Sequence, residues 1–204
     1  MKRVVTLLLA LGSFSPLSRA GVDFNGGTTE RVLDGIKFPQ LVFNENGRRI
    51  NYEQPRGWTV RQETGRIQFT PPGVTQAQAE IDQSPLPAPM TFDDETIKAL
   101  QEKALASLPP GSQNGKVESE QKTPVMKKDH DTYVVTLSYK LNGQEFMSDV
   151  LYFSLADTLV RFRVTARKAD FDKLFPPFRA SVISWQWTEP ATKTAGASAP
   201  KTGS

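Results

Sequence analysis

The chain contains no cysteine and a single histidine, His130. Without thiols there is no disulfide framework, no cysteine nucleophile and no lipidated cysteine anchor, so stability must come from a packed core. One imidazole supplies no histidine pair for zinc and leaves acid–base chemistry to carboxylates or lysines. No Gly-x-Ser-x-Gly elbow is present, since Gly111-Ser112-Gln113-Asn114-Gly115 has the wrong spacing, and Gly-rich phosphate loops are missing as well. No stretch approaches the roughly 20 apolar residues that cross a bilayer as a helix. These absences argue against an enzyme, call for no cofactor and leave no integral membrane segment once the N-terminal leader is removed.

That leader is the first positive signal. Met1-Lys2-Arg3, the apolar run Val4 to Leu11 and then Ser18-Arg19-Ala20 have the charged, apolar and small-residue regions of a secretory signal peptide, with cleavage expected after Ala20. Export to a periplasm or the extracellular medium follows as the expectation. The formal charge of +3 then loses its meaning. Of 25 basic residues Lys2, Arg3 and Arg19 belong to the leader, and all 22 acidic residues lie beyond it, which leaves 22 of each sign. A chain so balanced has no positive surplus for nucleic acid or an anionic membrane. Its 204 residues suit one domain with trimmed ends. The expected organisation is a signal peptide over 1–20, a flexible lead-in over 21–35, a domain over 36–187 and a disordered tail over 188–204.

The strongest pattern lies between Tyr133 and Ala166. Tyr133, Val135, Leu137 and Tyr139 alternate with Val134, Thr136, Ser138 and Lys140, the period of a strand. Asn142-Gly143 favours a two-residue type I′ turn, pairing Leu141 with Gln144 and then Tyr139 with Phe146, Leu137 with Ser148, Val135 with Val150 and Tyr133 with Tyr152. A second turn near Asp157 brings in Val160, Phe162, Val164 and Ala166. If Tyr152 faces Val160 or Phe162, all these apolar residues form one floor. The reverse face then gathers Asp149, Leu151 and Phe153 with Arg161, Arg163 and Thr165.

Upstream, strands are expected at Ile36 to Phe43, Arg48 to Glu53, Trp58 to Arg61, Arg66 to Thr70 and around Ala77 to Ile81, separated by Asn46-Gly47, Gln54-Pro55-Arg56-Gly57, Glu63-Thr64-Gly65 and Pro71-Pro72-Gly73. Asp93 is a candidate N-cap for a helix whose stripe is Ile97, Leu100, Ala104, Leu105 and Leu108, ended by Pro109-Pro110-Gly111. Lys116 to Met126 reads as a polar edge strand. Phe171, Leu174, Phe175, Phe178, Val182 and Trp185 recur at helical spacing, and Pro176-Pro177 predicts a break, with a short helix to Leu174 and another from Pro176.

The succession of Gln54-Pro55-Arg56-Gly57-Trp58, Pro71-Pro72-Gly73, a central helix, a three-strand meander and a last helix through Phe171, Leu174, Phe175 and Phe178 to Ser184-Trp185 resembles the PsbP-like family. The likeness covers about residues 36 to 187, on residues that are structural. The family includes a lumenal protein of photosystem II, exported bacterial proteins of unknown role and a nuclear-import factor sharing the fold. The resemblance implies an α+β protein, an α/β/α sandwich with a central antiparallel sheet and helices on both faces. It implies no shared catalytic site and does not carry over the photosystem's partners.

Two clusters could carry binding. Arg161, Arg163 and Arg167, with Asp149 beside them, could hold a small anion or a partner's carboxylate, because guanidinium forks bind such groups in bidentate fashion. The plainer reading has Asp149 neutralising one arginine beneath a covering helix. Asp129, His130 and Asp131 supply oxygen and imidazole ligands suited to a divalent metal, although adjacent side chains in an extended segment point apart, as in a solvated turn. Trp58, Trp185 and Trp187 suit core packing better than ligand stacking. The resulting expectation is a non-enzymatic exported domain that binds another protein or supports assembly of an envelope complex. A small-anion or divalent-metal binding module is the alternative.

Overall fold

The computed structural model describes residues 21–125 and 130–188. Twelve strands and two helices follow one another in these residues: β1 (Val22–Asp23), β2 (Thr28–Leu33), β3 (Ile36–Glu45), β4 (Arg48–Tyr52), β5 (Thr59–Glu63), β6 (Arg66–Thr70), β7 (Gln78–Pro85), α1 (Asp94–Ala106), β8 (Gln113–Lys122), β9 (Thr132–Leu141), β10 (Gln144–Ser154), β11 (Thr158–Arg167), α2 (Lys168–Ile183) and β12 (Gln186–Thr188). They build two antiparallel sheets. The larger runs β5-β6-β7-β11-β10-β9-β8; the smaller runs β1-β3-β4-β12, with β2 also paired to β3. The segment 21–35 thus contributes two strands, and the residues expected as a signal peptide and as a tail, 1–20 and 189–204, lie outside the described residues.

The expected α/β/α sandwich, one central sheet with helices on both faces, is not the architecture. The described residues are mostly strand, with two helices and two sheets among them. The reason lies in residues 22–52 and 186–188, which form a sheet of their own instead of extending the first. That small sheet shares a core with α2. Phe43, Ile50 and Tyr52 from it join Phe171, Leu174, Phe178 and Val182 of the helix against Ile67, Phe69, Ile81, Leu151, Phe153 and Phe162 of the large sheet. Trp185, just after α2, touches Phe43 and Tyr52 on one side and Phe153 and Phe162 on the other, at ring separations of 5.5 to 6.3 Å. A second core forms where Phe92, Ile97, Leu100 and Ala104 of the α1 region meet Tyr133, Val135, Leu137, Val150 and Tyr152.

Local chemistry explains the elements. Asn142 and Gly143 both sit at positive φ, 50° and 78°, and the pairing Leu141↔Gln144 through Tyr133↔Tyr152 follows from that turn. Asp93 caps α1, its carboxylate accepting the Thr96 N–H at 2.8 Å. α2 does not break at Pro176-Pro177 but runs through them. Both prolines lie on the solvent side, where the carbonyls of Asp172 and Lys173 that lose a donor can reach water, and the buried stripe Phe171, Leu174, Phe178, Val182 keeps its spacing.

The second turn of the meander differs from the expected alignment by one residue. Ser154 stands opposite Leu159, so Tyr152 faces Arg161 and Leu151 faces Phe162. Leu137 and Phe162 accordingly belong to different cores, on opposite sides of the sheet. A single apolar floor does not exist. Both faces of β10 are buried, and a strand covered on both sides loses the alternation that fixes its phase in sequence.

Gly26 marks the point where the chain crosses from β1 to β2 along the same edge of β3. A Cβ there would lie 2.3 Å from the Val42 carbonyl oxygen, and the next residue's carbonyl accepts the Val42 N–H at 2.9 Å. Neither backbone can retreat without losing that bond. Gly26→Ala should lower stability by about 3 kcal/mol, on the scale of severe backbone conflicts. Urea unfolding checks it, and an unchanged midpoint would refute the close approach.

Candidate functional site

The arginines of β11 meet carboxylates of β7. Arg161 lies across from Asp82 and Arg163 across from Glu80. Arg161 Nε is 3.0 and 3.1 Å from the two Asp82 oxygens, and its Nη2 also donates to Asp82 and lies 3.8 Å from Glu80. Arg163 donates to Glu80 through Nη2 and, at 3.4 Å, to the Ser107 hydroxyl at the C-terminal end of α1. Arg167 stands apart, its Nε donating to the Gln76 side chain at 2.7 Å. Glu80 is buried and the two inner guanidiniums are about four-fifths covered, so this face is a ladder of matched charges. An incoming anion would have to displace Glu80 or Asp82 from bidentate or close contacts.

Asp149 is not among them. It projects to the α2 side, where it borders a narrow crevice with Leu151, Phe162, Phe175, Phe178 and Arg179. Its carboxylate accepts the Thr136 hydroxyl at 2.8 Å. Burial raises its pKa to about 6, against the lesser opposing pull of the Thr136 bond and the Arg179 charge. The separation of Asp149 from Arg161 and Arg163 is the one-residue register difference expressed in chemistry.

His130 packs among aromatic rings. Its ring lies 5.1 Å from Trp187 at 30° and 5.4 Å from Phe153, edge on, with Nδ1 3.1 Å from the Ser154 carbonyl oxygen. Asp131 is exposed, and Asp129 lies outside the described residues. Among the described residues no group of three His, Asp or Glu is placed to hold a metal. Trp58 and Trp185 are buried, Trp58 stacking on Phe178 at 6.2 Å and 12°. Trp187 is half-buried between His130 and the Arg48 guanidinium, its indole donating to Glu45 at 2.6 Å.

A polar recess of about 430 Å³ opens where β1, the β3–β4 turn and the β5–β6 turn meet, bordered by Asp23, Asn25, Asn44, Asn46, Thr64 and Gln83. Gln83 on its border is committed to holding β1. Gln83 grips both the N–H and the carbonyl of Val22 at 2.7 Å, and nearby Gln62 donates to the Phe24 carbonyl at 2.7 Å.

The feature that the candidate residues leave out is an arm. β2 and the first half of β3 run past Leu41, the last buried residue of that strand pair, for about 17 Å. At its tip Val32, Leu33 and Ile36 are 62%, 50% and 60% exposed. Along its length the charges pair internally. Lys37 reaches Glu30 at 2.8 Å, Arg31 reaches Glu53 at 2.7 Å, and the Arg31 guanidinium lies 5.4 Å from the Phe38 ring centre. The signal for the arm is Val32-Leu33-Asp34-Gly35-Ile36, an Asp-Gly turn between apolar residues; nothing in the alternation says that those residues stay in solvent.

Because the folded-state pKa of Asp149 stands above the ordinary 3.8, the folded chain holds the proton more tightly than the unfolded one. The stabilisation this gives is complete below pH 3.8 and is lost as the pH rises through about 6. Two pH units correspond to about 3 kcal/mol as an upper scale. Asp149→Asn, which can still accept from Thr136, should therefore gain stability over the unmodified chain at pH 7.5, by up to that amount, with the advantage vanishing near pH 4. Paired urea titrations across this range measure it, and an Asn variant weaker at pH 7.5 would contradict the burial argument.

No family model matches the chain, and no curated protein does. Solved structures do resemble it. A Pseudomonas aeruginosa protein of unknown function, described as a putative regulator, has a TM-score of 0.49 at 16% identity and covers 81% of this chain and 100% of its own. Cyanobacterial PsbP from Synechocystis scores 0.45 at 13% identity, covering 86% and 98%. LpqN of Mycobacterium tuberculosis, described as involved in cell envelope biogenesis, scores 0.47 at 18% identity, covering 79% and 91%. The PsbP-like likeness read from Gln54 to Trp185 is met by the cyanobacterial protein standing among these structures.

Proposed function

We propose that this chain is an exported, non-enzymatic docking domain whose contact element is the β2–β3 arm. The observation that carries the reading is the concentration of exposed apolar side chains. Of four large hydrophobic residues exposed among the described residues, Val32, Leu33 and Ile36 share the arm's tip. The fourth, Ile183, precedes Ser184, whose hydroxyl accepts the Glu53 N–H at 2.8 Å, and Glu53 is the residue that pairs with Arg31 at the arm's base. Apolar groups clustered in water at one place are a standing invitation to a partner. The arginine face supports anion binding less well, since Asp82 and Glu80 already occupy its guanidiniums. Export rests on the leader read from the sequence, and no helix among the described residues is long and apolar enough to cross a membrane.

The test is photocrosslinking in the envelope of the source cell, with a benzophenone side chain placed at Leu33, at Ile36 or, on the charged face, at Arg66. A discrete adduct from the two arm positions, absent from the third, is expected. Leu33→Ser combined with Ile36→Ser should weaken capture about tenfold, from the apolar area lost, while leaving the unfolding midpoint near its original value. Adducts from Arg66 and none from the arm would transfer the docking role to the arginine-bearing sheet face.

A further inference from the structure

Resting on that docking reading, we infer that the arm binds its partner by adding an extended strand to the free edge of β2, and that the strand belongs to a different protein. β2 pairs with β3 on one side and, among the described residues, carries no strand on its other side. The phase of its backbone follows from the turn. Leu33 and Ile36 flank the two-residue Asp34-Gly35 turn, both of whose residues have positive φ, so this closing pair exchanges both of its hydrogen bonds. Arg31↔Phe38 and Thr29↔Gln40 repeat that pattern two and four residues on, whereas Val32 and Glu30 aim their N–H and carbonyl groups away from β3. Pro39 confirms the phase independently. It stands opposite Glu30, at a pair where β3 donates nothing to β2 and a missing N–H costs no rung.

The side chains say what the added strand carries. In an antiparallel addition Val32 and Glu30 each exchange two hydrogen bonds with it, and the residues facing Leu33, Val32, Arg31 and Glu30 run in its own direction as apolar, apolar, acidic and basic. A second copy of this chain does not satisfy that order. The two-fold axis of a symmetric antiparallel pair stands normal to the sheet, so only residues on the same face can meet. Registers that pair more than the single residue Leu33 at the apolar end then set Arg31 on Arg31, Glu30 on Glu30 or Glu30 on Asp34 of a second copy, and like charges directly opposite are destabilising. A bilayer is a poor occupant too, because Asp34 sits at the apex between Leu33 and Ile36 and its carboxylate would enter first.

The probe is an acetylated, amidated hexapeptide of sequence Thr-Val-Ile-Glu-Lys-Thr, titrated at millimolar concentration into the full chain labelled with nitrogen-15 and carbon-13. The largest shifts and the greatest slowing of hydrogen exchange are expected at the Glu30 and Val32 amides. Exchanging the Glu and Lys of the peptide should weaken binding about threefold, the scale of a cross-strand charge pair. Glu30→Pro, which removes an outward N–H at an edge that tolerates proline, should abolish binding, whereas Glu30→Gln should cost about twofold; unchanged shifts elsewhere confirm that both variants fold. Shifts confined to the Leu33 and Ile36 side chains, or no shifts at all, overturn strand addition. Concentration-dependent shifts of the same amides without peptide overturn it in favour of self-association, and peptide-independent capture by vesicles of mixed anionic and neutral lipid overturns it in favour of a membrane. Should the peptide leave β2 unmoved while the Leu33 crosslink persists in cells, docking stands and strand addition falls; should both disappear, both fall.

Discussion

Everything in this molecule hangs on Trp185. Its indole touches aromatic rings of both sheets, Phe43 and Tyr52 from the small one, Phe153 and Phe162 from the large. Without it the small sheet would rest on α2 and on two smaller aromatic contacts, Tyr52 with Phe69 at 5.9 Å and Trp187 with Phe153 at 5.7 Å. Removing a buried aromatic of this size from a core costs about 3–5 kcal/mol, a large share of a typical domain's stability. The surrounding hydrogen bonds work to the same end. Tyr52 and Ser181 share a bond of 2.6 Å between β4 and α2, and Ser184 ties the end of α2 to Glu53. Burial of the Tyr52 phenol pushes its pKa up, so the hydroxyl stays a neutral partner across ordinary pH.

With the sheets fixed to each other, the large sheet is covered on both faces, and the register of β10 on β11 decides what each face holds. Because Ser154 meets Leu159, even-numbered residues of β11 turn toward α2 and odd-numbered ones toward the α1 side. Val160, Phe162, Val164 and Ala166 thereby enter the core with Trp185, and Arg161 and Arg163 are delivered to Asp82 and Glu80. Had the turn been one residue shorter, the same sequence would have buried two guanidiniums beneath α2. A carboxylate as covered as Glu80 requires its cation, and breaking such a pair costs far more than the pair contributes. The ladder is therefore a consequence of how the sheet is aligned, and its charges are spoken for.

Most of this was legible where one physical signal dominated. Asn142-Gly143 set the first hairpin to the residue, Asp93 marked the start of α1, and the charged run of β8 marked an edge. Legibility failed where two signals competed. β10 reads as a continuous apolar stretch because both its faces are buried, so nothing in it says which neighbour faces which, and the error passed from there to Asp149 and the arginines. Pro176-Pro177 announces a helix break, yet tertiary packing of Phe171, Leu174, Phe178 and Val182 carries α2 through it. The division into two sheets was illegible for another reason. Strand pairing between β4 and β12 links residues more than 130 positions apart, and no local pattern encodes such a contact.

The arm is the place where stability stops explaining the sequence. Core residues answer to packing, and the paired charges of β7 and β11 answer to burial, but Val32, Leu33 and Ile36 contribute little to either and carry the liability of apolar surface in water. The chain nevertheless holds them firmly. At the base the Gly27 carbonyl takes the Val42 N–H, Glu53 takes Arg31 and the Gln40 amide, and farther out Glu30 takes Lys37. Each ion pair alone is worth less than about 1 kcal/mol at such exposure. Together they hold Arg31 and Glu30 in place along the arm, both half exposed and open to a second partner, beside the apolar tip and the outward backbone groups of β2. An edge so prepared has its ordering cost met before a partner arrives, which is what allows a short contact to bind at all.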